Sequence, residues 1–477
     1  MAGTGCVRSR KAHLKMETNE RMSKRFWLLG LAGLISAGLL VACGSSYNSS
    51  SNGLVLVGSQ GSSVIQTFSF NLNNGHVASI ANSTNDTGTQ TCLLNGLPAS
   101  MVVGPAGQYA YVIMVTSSQC QNSKLGIAVF QIKSDGTIAQ AGNLITLNSP
   151  SIIITGAPPP DNTQTAAVNP NTLSMDAAGK FLFVANRATT LVTPDNVTHS
   201  VPGSVSVLAI GSSGSLTEVT GSPFFVTTPA STVGQVTDDF VSVAATPTVF
   251  PGIGINGTQN SVCSVSSNPP PTTEFLYAVD TVGYQVFEFQ VDTSSGALTV
   301  PNNVMAIPSF PTDAVPVGVA VDPCDRFLYV SGSLHNKINA YTICTTVITN
   351  GICPFVNGKL NDVSGSPFAV SGSANGLGPL VVDPYGNNVY VLGTLSNTLS
   401  GFKISPVSGS LTALTPATVA TGANPTSIAI RGDDNWMFVT NYQSASVSQY
   451  SITPATGALS VLPTITTDNY PFGVAVK

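Results

Sequence analysis

From residue 54 onward the chain alternates apolar and polar positions in short runs, broken by Gly, Asn, Asp and Pro. A period of two places successive side chains on opposite faces of a strand, and the breaks are turn formers, so the pattern predicts β-strands joined by tight turns. One phrase recurs, an apolar alternation that ends in a turn and then an aromatic strand. It appears as SMVVGPAGQYAYVIM (100–114), LSMDAAGKFLFVAN (173–186), VGVAVDPCDRFLYVSG (317–332), LVVDPYGNNVYVLG (380–393) and SIAIRGDDNWMFVTN (427–441), with a shortened copy TEFLYAVD (273–280). Each copy leads into a second alternating run, such as SVSVLAIGSSGSL (204–216) and SVSQYSITPATGAL (446–459). Four strands per unit of roughly 40–50 residues is the signature of a β-propeller.

The aromatic strands, marked by Val57, Val112, Val184, Ala278, Val330, Val391 and Val439, make seven blades. The first, LVLVGS (54–59), has no innermost strand before it, and the last phrase, YPFGVAVK (470–477), matches the innermost-strand phrase PVGVAV (316–321) with nothing after it. The expected fold is therefore all-β, a seven-bladed β-propeller over 54–477 with terminal strand closure, the C-terminal innermost strand completing the N-terminal blade. Three long stretches interrupt the repeat, at 145–168, 188–202 and 226–272. All three are expected as loops on the face where the innermost strands begin, and long loops on a rigid scaffold are where binding usually resides.

Upstream, Lys24 and Arg25 precede an apolar run that ends Leu40-Val41-Ala42-Cys43. The layout is that of a secretory signal, and its end resembles the lipobox of bacterial lipoproteins. The resemblance implies a leader and lipoprotein signal over 1–43 in which Cys43 carries the lipid and becomes the new N-terminus when the residues before it are removed, a flexible tether over 44–53, and an exported protein anchored in the cell envelope, at the outer membrane on its periplasmic or surface side. Ten basic and twenty acidic residues follow Cys43, a net charge of −10. No Lys/Arg cluster exists, so no nucleic-acid partner is expected, and the lipid alone would hold the protein, as a monomer, to the membrane.

Chemistry-bearing residues are few. After Cys43 the histidines are His76, His199 and His335 and the arginines Arg187, Arg326 and Arg431. No HExxH, C-x-x-C or G-x-S-x-G is present, and the G-x-G-x-x-G at 252–257 opens no helix, so neither metal nor cofactor is expected. Asp322 and Asp383, each before a Pro, are expected to cap turns. Six cysteines remain, and six allow 15 pairings. Cys344 and Cys353 flank one loop, Cys92 and Cys120 lie in loops on the insertion face, and Cys263 with Cys324 follows by elimination. Six buried thiols are the alternative.

The phrases DPxxRFLYV, FVTN, xSGxLT and GSPF resemble the seven-bladed propeller family called lactonase or 6-phosphogluconolactonase-like, and its relatives with YVTN repeats. The resemblance spans about 54–477. It implies an ester-hydrolase ancestry in which a Pro-Arg-His phrase at the start of an innermost strand holds an anionic substrate. Here the matching stretch is Gly378-Pro379-Leu380-Val381, without the basic residues. The expected function is accordingly a cell-envelope lipoprotein whose propeller binds a ligand or partner protein on the insertion-rich face without catalysis. The alternative is a lactonase acting on an extracytoplasmic lactone, with Arg187, His199 and Arg431 as its candidate catalytic residues.

Overall fold

Alternate side chains of each aromatic strand leave the sheet in opposite directions, and both directions are apolar. In the first, Leu54 and Leu56 pack with Met101, Val112 and Phe130 of the following sheet, while Val55 and Val57 pack with Phe438 and Val447 of the last. A strand apolar on both faces must be covered on both, and stacking sheets around an axis meets that need for all of them. The computed structural model describes residues 52–80, 96–116, 124–149, 151–154, 163–176, 178–192, 198–226, 230–231, 238–246, 274–299, 309–313, 315–344, 358–371 and 376–477. Cys43, the leader and most of the tether lie outside them.

Seven antiparallel sheets form the blades, each with strands a to d from the axis outward. The innermost strands a are Pro471–Val476, Leu97–Val103, Asn169–Met175, Phe240–Ala245, Pro316–Val321, Leu377–Val382 and Pro425–Ile430, for blades 1 to 7. The aromatic strands b, in the same order, are Asn52–Ser59, Tyr109–Val115, Phe181–Arg187, Glu274–Asp280, Phe327–Gly332, Asn388–Gly393 and Trp436–Asn441. Strands a pack side by side in a closed ring, blade 7 against blade 1 included. Closure is as expected: Val55 pairs with Val476, Leu56 with Ala475 and Val57 with Val474. We call the face where strands a begin and strands b end the upper face. The a–b and c–d turns lie on the lower face.

The recurring phrases have identifiable work. The Asn that ends VAN and VTN donates from Nδ2 to two serines of the next strand, Asn186 to Ser204 and Ser206 and Asn441 to Ser446 and Ser448. The Asp of the a–b turn accepts backbone N–H groups: Asp322 Oδ1 from Phe327 at 3.0 Å, Asp383 Oδ1 from Asn387 at 2.9 Å. These are the turn caps the sequence predicts. In GSPF the serine accepts from strand c, Ser222 from the Val207 amide and Ser366 from that of Ala340.

Two readings of the insertions are corrected. Residues 189–192 and 198–201 form a hairpin, and Ser151–Ile154, Thr163–Thr165 and Ala230–Ser231 a three-stranded sheet, so the insertions add structure where plain loops were expected. The stretch 226–272 also holds a missing innermost strand, Phe240–Ala245. Its later part joins strands a and b of blade 4 and so leaves and rejoins the ring on the lower face. The three insertions therefore do not share one face.

The lower face carries buried carboxyls. Glu274 is 1 % exposed, and burial, then the nearby Asp176, push its pKa up to about 8 against the pull of Lys180. Asp325, beside it in the electrostatic sense, is pushed up to about 9 by burial, then by Asp322 and Glu274. A carboxyl whose folded-state pKa is raised favours the fold fully below its ordinary value near 4.5 and loses that contribution as pH rises through about 8. Glu274→Gln is expected to flatten this dependence, leaving the midpoint of thermal unfolding near that of the native chain at pH 5 and raising it by about 2–4 °C at pH 9. Melting curves at both pH values check it; an equal change at both would show that Glu274 is ionised throughout.

Candidate functional site

At the upper mouth of the ring every blade breaks its a–b register. Shifts fall at Pro98/Met101, Pro170/Thr172, Phe240/Ser242, Pro316/Gly318, Leu377/Leu380 and Pro425/Ser427, and in blade 1 at Gly58/Ser59. Proline has no N–H for the ladder and is tolerated at a first strand position or a bulge. Bulges in turn re-aim side chains beside a mouth. The residue before strand a is held left-handed in four blades, at Val315 (φ 54), Gly376 (φ 63), Asn424 (φ 54) and Tyr470 (φ 58). For the β-branched Val315 that conformation is strained, and strain of this kind concentrates at functional sites.

Among the described residues two ion pairs stand on the upper face. The first joins blades 3 and 4. Arg187, at the end of strand b, donates from Nη2 to Asp239 Oδ2 at 2.7 Å and from Nε to Oδ1 at 3.3 Å, and the Ala188 amide adds a bond of 2.8 Å. Asp239 donates its own amide to Asp280 Oδ1 at 2.9 Å. Asp280, fully buried, also accepts the Val282 and Gly283 amides. The Asp239 hydrogen bond holds the Arg187 guanidinium above its ordinary pKa, and burial, then Asp280, raise that of Asp238. Arg187 is a neutralised, blade-linking cation whose side chain remains 46 % exposed.

The second pair belongs to blade 5. His335, in the b–c turn, meets Asp313 Oδ1 through Nδ1 at 2.9 Å. Asp313 lies in the link from blade 4 and is itself fixed by its amide, which donates to Asn339 Oδ1 at 2.8 Å. An ionised carboxylate only accepts, so Nδ1 donates to it, and in the neutral imidazole this tautomer places the lone pair on Nε2, on a ring whose side chain is 53 % exposed. A carboxylate that sets the tautomer of a solvent-accessible imidazole is the arrangement of a general base and its orienting partner.

The candidate residues do not converge. Arg187 is on the upper face. His199 is in the added hairpin and 4 % exposed, so it has the setting of a packed side chain and not that of the catalytic candidate. Arg431 sits in the a–b turn of blade 7 on the lower face, bonded to Asp433 and, at 3.4 Å, to the Lys477 carbonyl. A strand length of about 20 Å separates it from the upper mouth. Arg326 is also on the lower face, bonded to Asp322 and across the seam to the Gly386 carbonyl. At Gly378-Pro379-Leu380-Val381 the Leu380 side chain is buried in the blade 5–6 core, and the Gly378 carbonyl accepts from Ser331 at 2.7 Å. Among the described residues no His, Cys, Asp and Glu are grouped to hold a metal. Cys43, Cys92, Cys120, Cys263 and Cys353 lie outside the described residues.

Sequence reading missed both pairs. Their members are 52 and 22 residues apart, on different blades or on a link and a turn, and no local motif joins them. The one signal was position: Arg187 and His335 follow, by one and three residues, phrases that end on the upper face.

Residues 357–475 match the family model described as "Lactonase, 7-bladed beta-propeller". The fold is similar to that of a putative 6-phosphogluconolactonase from Bacteroides fragilis, at 18 % identity over 90 % of this chain and 99 % of that one, with a TM-score of 0.59. It is also similar to a periplasmic gluconolactonase from Pseudomonas aeruginosa, at 19 % identity over 89 % and 99 %, with a TM-score of 0.58. No curated protein matches the chain. The resemblance read from the repeats holds, in sequence over the last two blades and in fold around the ring.

Proposed function

We propose that the upper face hydrolyses a lactone outside the cytoplasm, with the Asp313–His335 pair as the group that activates water. That pair is the observation that carries the reading, and the lactonase match over 357–475 supports the reaction class. In the step, His335 Nε2 takes a proton from water as the oxygen bonds to the lactone carbonyl carbon. Collapse of the tetrahedral adduct breaks the ring C–O bond, and the imidazolium returns the proton to the departing alkoxide. One water is consumed, and the product is the open hydroxy acid. Asp313 holds the imidazole in one tautomer and balances its charge while it is protonated.

Binding of a ligand or partner protein without catalysis is the second reading. The loss of basic residues at Gly378-Pro379-Leu380-Val381 favours it, as does the commitment of Arg187 to Asp239. Rates of acid release from a panel of lactones separate the two. His335→Ala and Asp313→Asn are expected to keep the native circular dichroism spectrum and to lower kcat/KM by about 10²–10⁴ for His335, less for Asp313. A native chain that releases acid no faster than buffer leaves the binding reading.

The address belongs to the same proposal: an exported lipoprotein, attached through Cys43 and monomeric, with no nucleic-acid partner. The leader supports it, and so do Cys324 and Cys344, buried side chains that are disulfide-bonded, because such bonds persist in oxidising compartments. Cells fed a clickable fatty acid are expected to label the native chain and to leave the Cys43→Ser chain unlabelled. Equal labelling of both would contradict lipid attachment at Cys43.

A further inference from the structure

The b–c turns on the upper face share one geometry. In blades 1, 4, 5, 6 and 7 four residues join the strands, and the fourth is left-handed: Ser63 (φ 54), Tyr284 (φ 53), Asn336 (φ 54), Asn397 (φ 56) and Ala445 (φ 47). The second residue projects at the tip. In blades 7 and 1 it is Gln443 and Gly61, so the turn itself does not demand an apolar side chain. In blades 4, 5 and 6 it is Val282, Leu334 and Leu395. These are well exposed, Leu334 at 61 % and Leu395 at 76 %, and Tyr284 stands beside Val282 at 43 %. Exposed turn tips are ordinarily polar, and here three successive blades place branched aliphatic groups at the same position. The arc is centred on blade 5, where Leu334 is the chain neighbour of His335.

Charge around the arc excludes one substrate class. Among the described residues on the upper side of blades 3 to 5 the carboxylates are Asp238, Asp239, Asp280 and Asp313, against Arg187 and Lys337 as cations. Arg187 is already bidentate to Asp239. A phosphate needs several uncommitted donors of positive charge, and a polyol needs convergent polar groups in place of aliphatic tips.

We infer that the upper-face site takes an uncharged lactone bearing an alkyl or acyl chain, with the lactone carbonyl at His335 and the chain directed onto the arc of aliphatic tips that Leu334 shares with Val282 and Leu395. The inference rests on the hydrolase reading and names its substrate. Each methylene removed from water is worth a factor of about four in binding, so a medium-length chain supplies the discrimination that charge does not.

The test compares kcat/KM of the full chain for three lactones: an alkyl-substituted δ-lactone of about ten carbons, glucono-δ-lactone and 6-phosphogluconolactone. The alkyl lactone is expected to exceed the other two by tenfold or more. In Leu395→Ser and Val282→Ser chains, with folding checked by circular dichroism, the ratio of alkyl lactone to gluconolactone is expected to fall at least threefold each, carried by KM. A preference for gluconolactone or the phosphorylated lactone, or a ratio unmoved by both substitutions, overturns the inference and leaves the hydrolase reading standing. Turnover of none of the three overturns the hydrolase reading itself, and this inference with it.

Discussion

The seam between neighbouring blades depends on a side chain at the start of strand b seated on a glycine of the next blade. Phe181 covers Gly296, Phe275 covers Gly358, Phe327 covers Gly409, and Trp436 covers Gly75 across the closing seam. These glycines lie in the c–d turns with φ between 70 and 77, and a Cβ on any of them would stand within 2.4 to 2.6 Å of the covering ring. In two of these seams the strand-b tyrosine then donates its hydroxyl to that same glycine carbonyl, Tyr277 to Gly358 and Tyr329 to Gly409 at 3.0 Å, and in the next seam Tyr390 donates likewise to Gly457 at 2.7 Å, a c–d turn glycine faced by Asn388. A glycine is needed twice over, for the left-handed turn and for the close approach. Seven apolar clusters, one in each seam, complete the contact.

That constraint explains why the fold was legible in the sequence. The xSGxLT turn and the FLYV strand are the two halves of a seam, so a chain that repeats them around a ring writes its blade number directly. Asn186 and Asn441, Ser222 and Ser366, and Asp322 and Asp383 are legible for the same reason, since each satisfies backbone or hydroxyl groups within its own blade. Phe240–Ala245 was hidden because a long insertion parts it from its strand b and its turn phrase is absent. The hairpin holding His199 was hidden because it answers to no repeat.

The site was less legible because its pairs are not local. Asp239 reaches Arg187 from the next blade, and Asp313 reaches His335 from a link, so only closure of the ring brings them together. The low charge of the chain acquires a meaning here. With blades held by aromatic–glycine seams and apolar clusters, few ionised groups are required to fold. Several titratable groups that do occur are buried, and Glu274, Glu288 and Asp434 are each raised to about 8, burial being the first cause. The upper face keeps two paired sites, and its exposed tips are aliphatic where blades 4 to 6 meet solvent.

The central claim is that the strand supplied by the C-terminus makes blade 1 as firm as any other, so that the seven seams open together. Native-state hydrogen exchange tests it directly, because local opening and global unfolding give separate rates. The account predicts that the amides paired between Leu54–Val57 and Val474–Val476 exchange as slowly as those of Met437–Val439 in blade 7, with one shared opening free energy. Markedly faster exchange at the blade 1 pairing, with blade 7 still protected, would contradict it.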